Sequence, residues 1–218
     1  MLTQKGMTLC PRRGRRSVKL QLALRRLLLV GTPLVLAFLM IVHQLIDQVE
    51  QPGAFLALHL VLLPLFALMG VTIWTLLEGV SGAVAWAARA AAFVFLVGYV
   101  ALDAISGVAA SAVLASGAPW SKEAARALFA SGPAALPTTV AVLAWRVSVL
   151  LGAWALYRAG RPLAPLVVLV ASALWLNQNH GGVRGVLVFG GFAVAAVWLE
   201  FFPGGLLRRR GGRETPVA

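Results

Sequence analysis

Charged residues are scarce in this chain. They make up 12% of its 218 residues, and only 7 of them are acidic, whereas an ordinary soluble domain carries about 25% charged residues. The hydrophobic fraction is 60% and the mean hydropathy is +0.87. This balance excludes an ordinary soluble domain and predicts an all-α integral membrane protein.

Several other residues and motifs are also lacking. A single cysteine, Cys10, excludes an intrachain disulfide and a metal site built on thiolates. No lysine lies within a long apolar run, which excludes a retinal Schiff base. Walker, Rossmann and Gly-x-Ser-x-Gly signatures are absent, so the sequence gives no support to nucleotide-driven or serine-hydrolase chemistry.

What the chain does have is six apolar runs of roughly the length that a ~30 Å hydrocarbon layer requires. We predict a bundle of six transmembrane helices within residues 27–202. Residues 1–26 form a basic arm and residues 203–218 a basic tail, and both are expected to be disordered. The six predicted spans are residues 27–46, 54–77, 89–115, 138–157, 163–177 and 185–202.

Two further patterns concern helix surfaces. Between Trp120 and Phe129, in the one long loop, apolar residues share one helical face opposite Lys122 and Arg126, which predicts a short helix lying on the outer membrane surface. Small residues at four-residue spacing, such as Gly107 and Gly191 with their neighbours, predict close approach between helices.

The orientation follows from the cations. Fifteen Lys and Arg flank the spans on the side that holds both termini and three on the other side, which places both termini in the cytoplasm. Because topology already explains these cations, the net charge of +12 does not indicate nucleic-acid binding. Arg far outnumbers Lys and Ala is abundant, a composition typical of GC-rich bacteria. We therefore expect a bacterial cytoplasmic membrane.

Two opposite charges lie within the spans. Counting from the cytoplasmic boundary, Asp103 is about 21 Å and Arg146 about 18 Å into the membrane. Charges at such depth are costly and tend to face protein, water or each other. We therefore predict an ion pair between Asp103 and Arg146 that joins the third and fourth spans, either as a binding site or only as a device that fixes which helices are neighbours.

All three histidines fall in one layer at the other side of the membrane. His43, His59 and His180 lie about 26–28 Å from the cytoplasmic boundary by the same count. Asp47 follows His43 by four residues and shares its face if the helix continues. These side chains either solvate the helix ends or line an outward-facing polar pocket with the Asp103–Arg146 pair at its floor.

Four functional hypotheses remain open from the residues alone. His43, Asp47, His59 and His180 supply the nitrogen and oxygen donors of a tetrahedral zinc site, or a pocket for a small polar ligand. A b-type haem between His43 and His59 is an alternative, as is a small transporter or permease-like subunit that uses Asp103 and Arg146. The last is a structural or interaction protein. The sequence assigns no catalytic residue, and the lipid bilayer is the one partner that it implies.

Overall fold

A computed structural model describes residues 12–129, 133–176 and 181–202 of the chain. All regular secondary structure in these ranges is helical. Five helical segments in them are long and apolar enough to cross a membrane, and a sixth apolar helix, Leu163–Leu174, is shorter. The protein is therefore an all-α protein of the multi-pass membrane type.

The first segment begins earlier than the sequence predicts. Helix α1 (Arg12–Arg26) continues through a π-helical turn (Leu27–Gly31) into α2 (Thr32–Leu45). Its residues 12–26 belong to the arm that we expected to be disordered. Arg and Leu favour helix strongly, and no proline interrupts the run before the apolar segment. The second segment is α3 (Pro52–Leu76).

The third segment consists of α4 (Ala83–Leu102), a π-helical segment at Asp103–Ala109 and α5 (Ala110–Ala115). It begins before Arg89, where we predicted its start, because Arg89 does not need to lie outside the helix. Its guanidinium donates to the carbonyl oxygens of Leu77 and Val80, in the turn that follows α3. Such bonds satisfy carbonyl groups at a helix C-terminus.

The remaining helices are α6 (Ser121–Phe129), α7 (Ala135–Arg158), α8 (Leu163–Leu174) and α9 (Val183–Phe201). Helix α6 packs on α5 and on the π segment. Gly191 of α9 lies so close to Ser172 of α8 that a Cβ would overlap the serine side chain, which confirms the predicted close approach at this glycine. Residues 177–180, which include His180, lie outside the described residues.

Helix pairing closes the bundle on itself. The most extensive contact is between α4 and α7, and α2 packs against both α3 and α9. Buried aromatic rings fill the centre, where Phe66 lies 4.3 Å from Tyr99 and Phe95 lies 4.9 Å from Trp145 between ring centroids. The first and last membrane-length helices are therefore neighbours.

An ionic cluster marks one end of the bundle, which we call the basic end. Arg25 at the end of α1 donates to Glu78, after α3, at 2.5 Å and to Glu200 of α9 at 3.2 Å. The same guanidinium donates to the carbonyl oxygen of Thr75. The cluster therefore brings the start of the first membrane segment and the ends of the second and the last to one side.

The opposite end, which we call the histidine end, is also joined by a contact between the first and last helices. The amide of Gly182, at the start of α9, donates a 2.9 Å hydrogen bond to the carbonyl oxygen of Met40 in α2. Gly182 has φ +66°, and a Cβ there would overlap the side chain of Gln44. Only glycine fits this turn without strain.

Candidate functional site

His59 and Asp103 face each other between α3 and the π segment. Nε2 of His59 lies 3.6 Å from Oδ1 of Asp103, and the two side chains are only 4% and 1% exposed. On the other side of the ring, Nδ1 donates to the carbonyl oxygen of Phe55 at 2.9 Å. Because a carbonyl oxygen only accepts, this bond places the proton of a neutral His59 ring on Nδ1.

Asp103 is the first residue of the π segment. Single π-helical turns within α-helices are rare and recur at functional sites. Gly107, one turn beyond Asp103, lies directly against the His59 ring, and a Cβ at Gly107 would overlap the ring carbons. The absence of a side chain at Gly107 therefore sets how closely α3 approaches the π segment, as its small-residue pattern predicts.

The carboxylate of Asp103 has no hydrogen-bond donor among the described residues. Both of its oxygens are buried, and neither accepts a hydrogen bond from the part of the chain that the structure describes. Burying an ionised carboxylate without donors is costly, so such groups are paired, protonated or bound to a ligand. His59 is the ionisable side chain within ion-pair distance of it, which makes this pair the chemical centre of the site.

His43 of α2 adds a second imidazole next to the pair. Its ring centroid lies 5.2 Å from that of His59 and 4.9 Å from that of Phe55, both in edge-to-face contact. Gly181 also lies directly against the His43 ring. Two of the three histidines that share a predicted depth are therefore in contact, and the third, His180, is outside the described residues.

Asp47 does not join this cluster. Helix α2 ends at Leu45, and Ile46 is extended, so Asp47 is not one helical turn above His43 as the prediction required. Its Oδ1 accepts hydrogen bonds from the amides of Val49 and Glu50 at 2.7 and 2.9 Å, which closes the turn toward α3.

The positions of these side chains bear on the two predicted kinds of cofactor, a metal ion and a haem. The described residues contain no group of three His, Cys, Asp or Glu side chains that could hold a metal ion, and His180 lies beyond them. A haem held by His43 and His59 needs a porphyrin between the two rings. The rings touch edge to face, which leaves no room for one.

Arg146 and Asp103 do not pair. Arg146 donates to the carbonyl oxygens of Leu176 and Leu174 at 2.8 and 3.4 Å, at the end of α8. Asp103 faces α3 instead, so the two charges point toward different helices. Their depths predicted a contact, but depth along a helix does not determine the direction in which a side chain leaves its axis.

Two residues of the site, Gln48 and Phe55, were missed in the sequence, and Gly107 was predicted only as a packing residue. Gln48 donates from Nε2 to the carbonyl oxygen of Ser106 and to Oγ of Ser111, both at 3.4 Å, and it comes from a loop without any motif. Phe55, which holds His59, could have been found from its spacing of four residues. Gly107 likewise follows Asp103 by four residues, so the same spacing relates these two positions.

The chain was also compared with known proteins. No family model, no curated protein and no solved structure matches it.

Proposed function

We propose that this chain is a small multi-pass transport protein, and that the His59–Asp103 pair binds the proton to which transport is coupled. The observation that carries the proposal is the buried pair itself. It replaces the Asp103–Arg146 pair that the sequence suggested for a transporter. Ionisable groups inside membrane segments commonly mark proton and ion pathways.

The hydrogen bond to Phe55 explains why this pair needs a proton. With the ring proton of neutral His59 on Nδ1, its Nε2 offers only a lone pair toward Asp103. An ionised carboxylate also offers only lone pairs. Two acceptors would then face each other at 3.6 Å in a buried site, and one added proton, on either atom, turns this repulsion into attraction.

His43 suggests the side from which the proton arrives. It lies beside His59 in the direction of the histidine end, where α2 finishes. Toward the basic end, α4 carries no Asp, Glu, His, Lys or Arg between Asp103 and Arg89. Protons therefore reach the pair from the histidine end by way of His43, and passage to the other side requires a rearrangement near the π segment.

The topology belongs to the same proposal. We place the chain in a bacterial cytoplasmic membrane with six crossings, both termini in the cytoplasm and α6 on the outer surface. The contacts of Arg25 with Glu78 and Glu200 favour an even number of crossings. The contact of Gly182 with Met40 favours α8 as the remaining crossing, because the chain is at the histidine end again where α9 starts.

The test is proton flux in vesicles that contain the purified full-length protein. A potassium gradient with valinomycin drives the flux, and a trapped pH-sensitive dye reports it. We expect Asp103→Asn to reduce proton movement to the level of empty vesicles, because the amide cannot take up the proton. Asp47→Asn is the matched control, since its side chain lies in the turn after α2 and keeps an oxygen for the same backbone bonds.

A second measurement separates binding from transport. Infrared difference spectra recorded across a pH change report the protonated carboxyl group of Asp103, and this signal should disappear in Asp103→Asn and persist in Asp47→Asn. Flux that persists in Asp103→Asn contradicts the proposal. A carboxyl signal without any flux would leave a proton-binding site and reject transport.

A further inference from the structure

An apolar groove runs along the exposed side of α7 and α8. Its volume is 580 Å³, within the range of about 300–1,000 Å³ that small-molecule pockets occupy. Side chains that line it, such as Trp154, Val167 and Leu174, are about half exposed. Helix α8 has 12 residues, or about 18 Å, which is short against a ~30 Å hydrocarbon layer.

The end of the groove toward the basic end carries two cations. Tyr157 and Leu163 line that end, and the turn between them contains Arg158 and Arg161. The turn is tight, because Gly160 has φ +79° and the amide of Arg161 donates to the carbonyl oxygen of Leu156. Both arginines therefore lie in the short turn that joins the two walls of the groove.

These two arginines differ from Arg25 and Arg26. Among the described residues, neither guanidinium makes an ion pair or hydrogen bond, whereas Arg25 and Arg26 pair with Glu200. A second apolar hollow, between Val194 and Phe202, is smaller at 210 Å³. The α7–α8 groove thus combines an apolar trough with positive charge that no residue of the described chain neutralises.

We propose that this groove is a binding site for an anionic phospholipid. One acyl chain lies along α7 and α8, and the phosphate group contacts Arg158 and Arg161. Aromatic rings such as Trp154 and Tyr157 prefer the depth at which acyl chain and headgroup meet. A second copy of this chain is a less suitable occupant, because a symmetric contact would bring the unpaired arginines of two protomers together.

The test compares lipid binding by the full-length protein and its variants in detergent. Phosphatidylglycerol and phosphatidylcholine are added in turn, and native mass spectrometry counts the lipids retained. Each arginine near a membrane surface contributes roughly fivefold to the preference for an anionic lipid, so Arg158→Gln with Arg161→Gln should lower that preference about thirtyfold.

Two further variants test the position of the charge and the groove separately. Lys122→Gln with Arg126→Gln removes the same charge on α6 and should leave the preference unchanged. Ala171→Leu fills the groove and should lower retention of both lipids while the arginines remain. An equal preference in the wild type and the Arg158/Arg161 variant would overturn the proposal, as would retention that Ala171→Leu leaves intact. A dimer that Ala171→Leu dissociates would assign the groove to a second copy instead.

Discussion

Gly107 shows how much of the site depends on a single position. The ring of His59 lies against its backbone, and a methyl group there has no room. The π segment and α3 would have to separate, and the distance between His59 and Asp103 would grow. The distance between His59 and Asp103 therefore depends on Gly107, a residue that has no side chain to react or bind.

We predict that Gly107→Ala lowers the stability of the folded protein by about 1–3 kcal/mol, the usual cost of overpacking a well-packed core. Thermal unfolding in detergent provides the measurement. Gly190→Ala is the matched control, because Gly190 is also within a membrane-length helix and a Cβ there meets nothing within 4 Å. If both variants unfold at the wild-type temperature, the close packing on His59 is wrong.

Among the helices, Arg146 joins α7 to the end of α8 through hydrogen bonds. Its guanidinium caps the C-terminal end of α8 by donating to the carbonyl oxygens of Leu174 and Leu176. In the described part of the chain, no further helical turn supplies donors to these oxygens. Asp103 belongs to another interface, between the π segment and α3. The two charges thus act on separate pairs of helices.

This separation predicts additive effects. The loss of stability in a protein carrying both Asp103→Asn and Arg146→Gln should equal the sum of the two single losses within about 0.5 kcal/mol, as is usual for residues that share no partner. Unfolding of the four proteins under one condition gives the comparison. A double variant more stable than that sum predicts would restore a direct ion pair between the two charges.

The sequence predicted the helices better than their contacts. Hydrophobic length located the five membrane-length helices and the shorter apolar helix α8. Depth grouped His43 with His59, whose rings are in contact. The pairing of Asp103 could not be predicted, because depth along a span does not give the direction in which a side chain leaves the helix axis. The prediction that Asp47 lies one turn above His43 was wrong for a local reason, because the helix ends at Leu45 and Ile46 is extended.

The bundle as a whole has two chemically different ends. Arginines and glutamates join the helices at the basic end, and imidazoles, amides and glycines join them at the histidine end. If the basic end faces the cytoplasm, as the distribution of Lys and Arg indicates, each end should be accessible from one side of the membrane only.

Cysteine labelling of intact cells tests this orientation. In a background with Cys10→Ser, Lys122→Cys should react with an impermeant thiol reagent, because Lys122 lies on α6 and is exposed. Ala159→Cys, exposed in the turn after α7, should react only once the membrane is permeabilised. The reverse pattern would invert the assignment of both ends.

The contact between Arg25 and Glu200 has a consequence for how the protein is made. The two residues are 175 positions apart, so at the usual 5–20 residues per second a ribosome needs roughly 10–35 s between them. During that time α2 is in the membrane without α9, the neighbour that covers one of its faces, and Arg25 lacks one of its two acidic partners. The ring of helices therefore closes only when synthesis is nearly finished, and a chain truncated before α9 would be left open for cellular proteases to recognise.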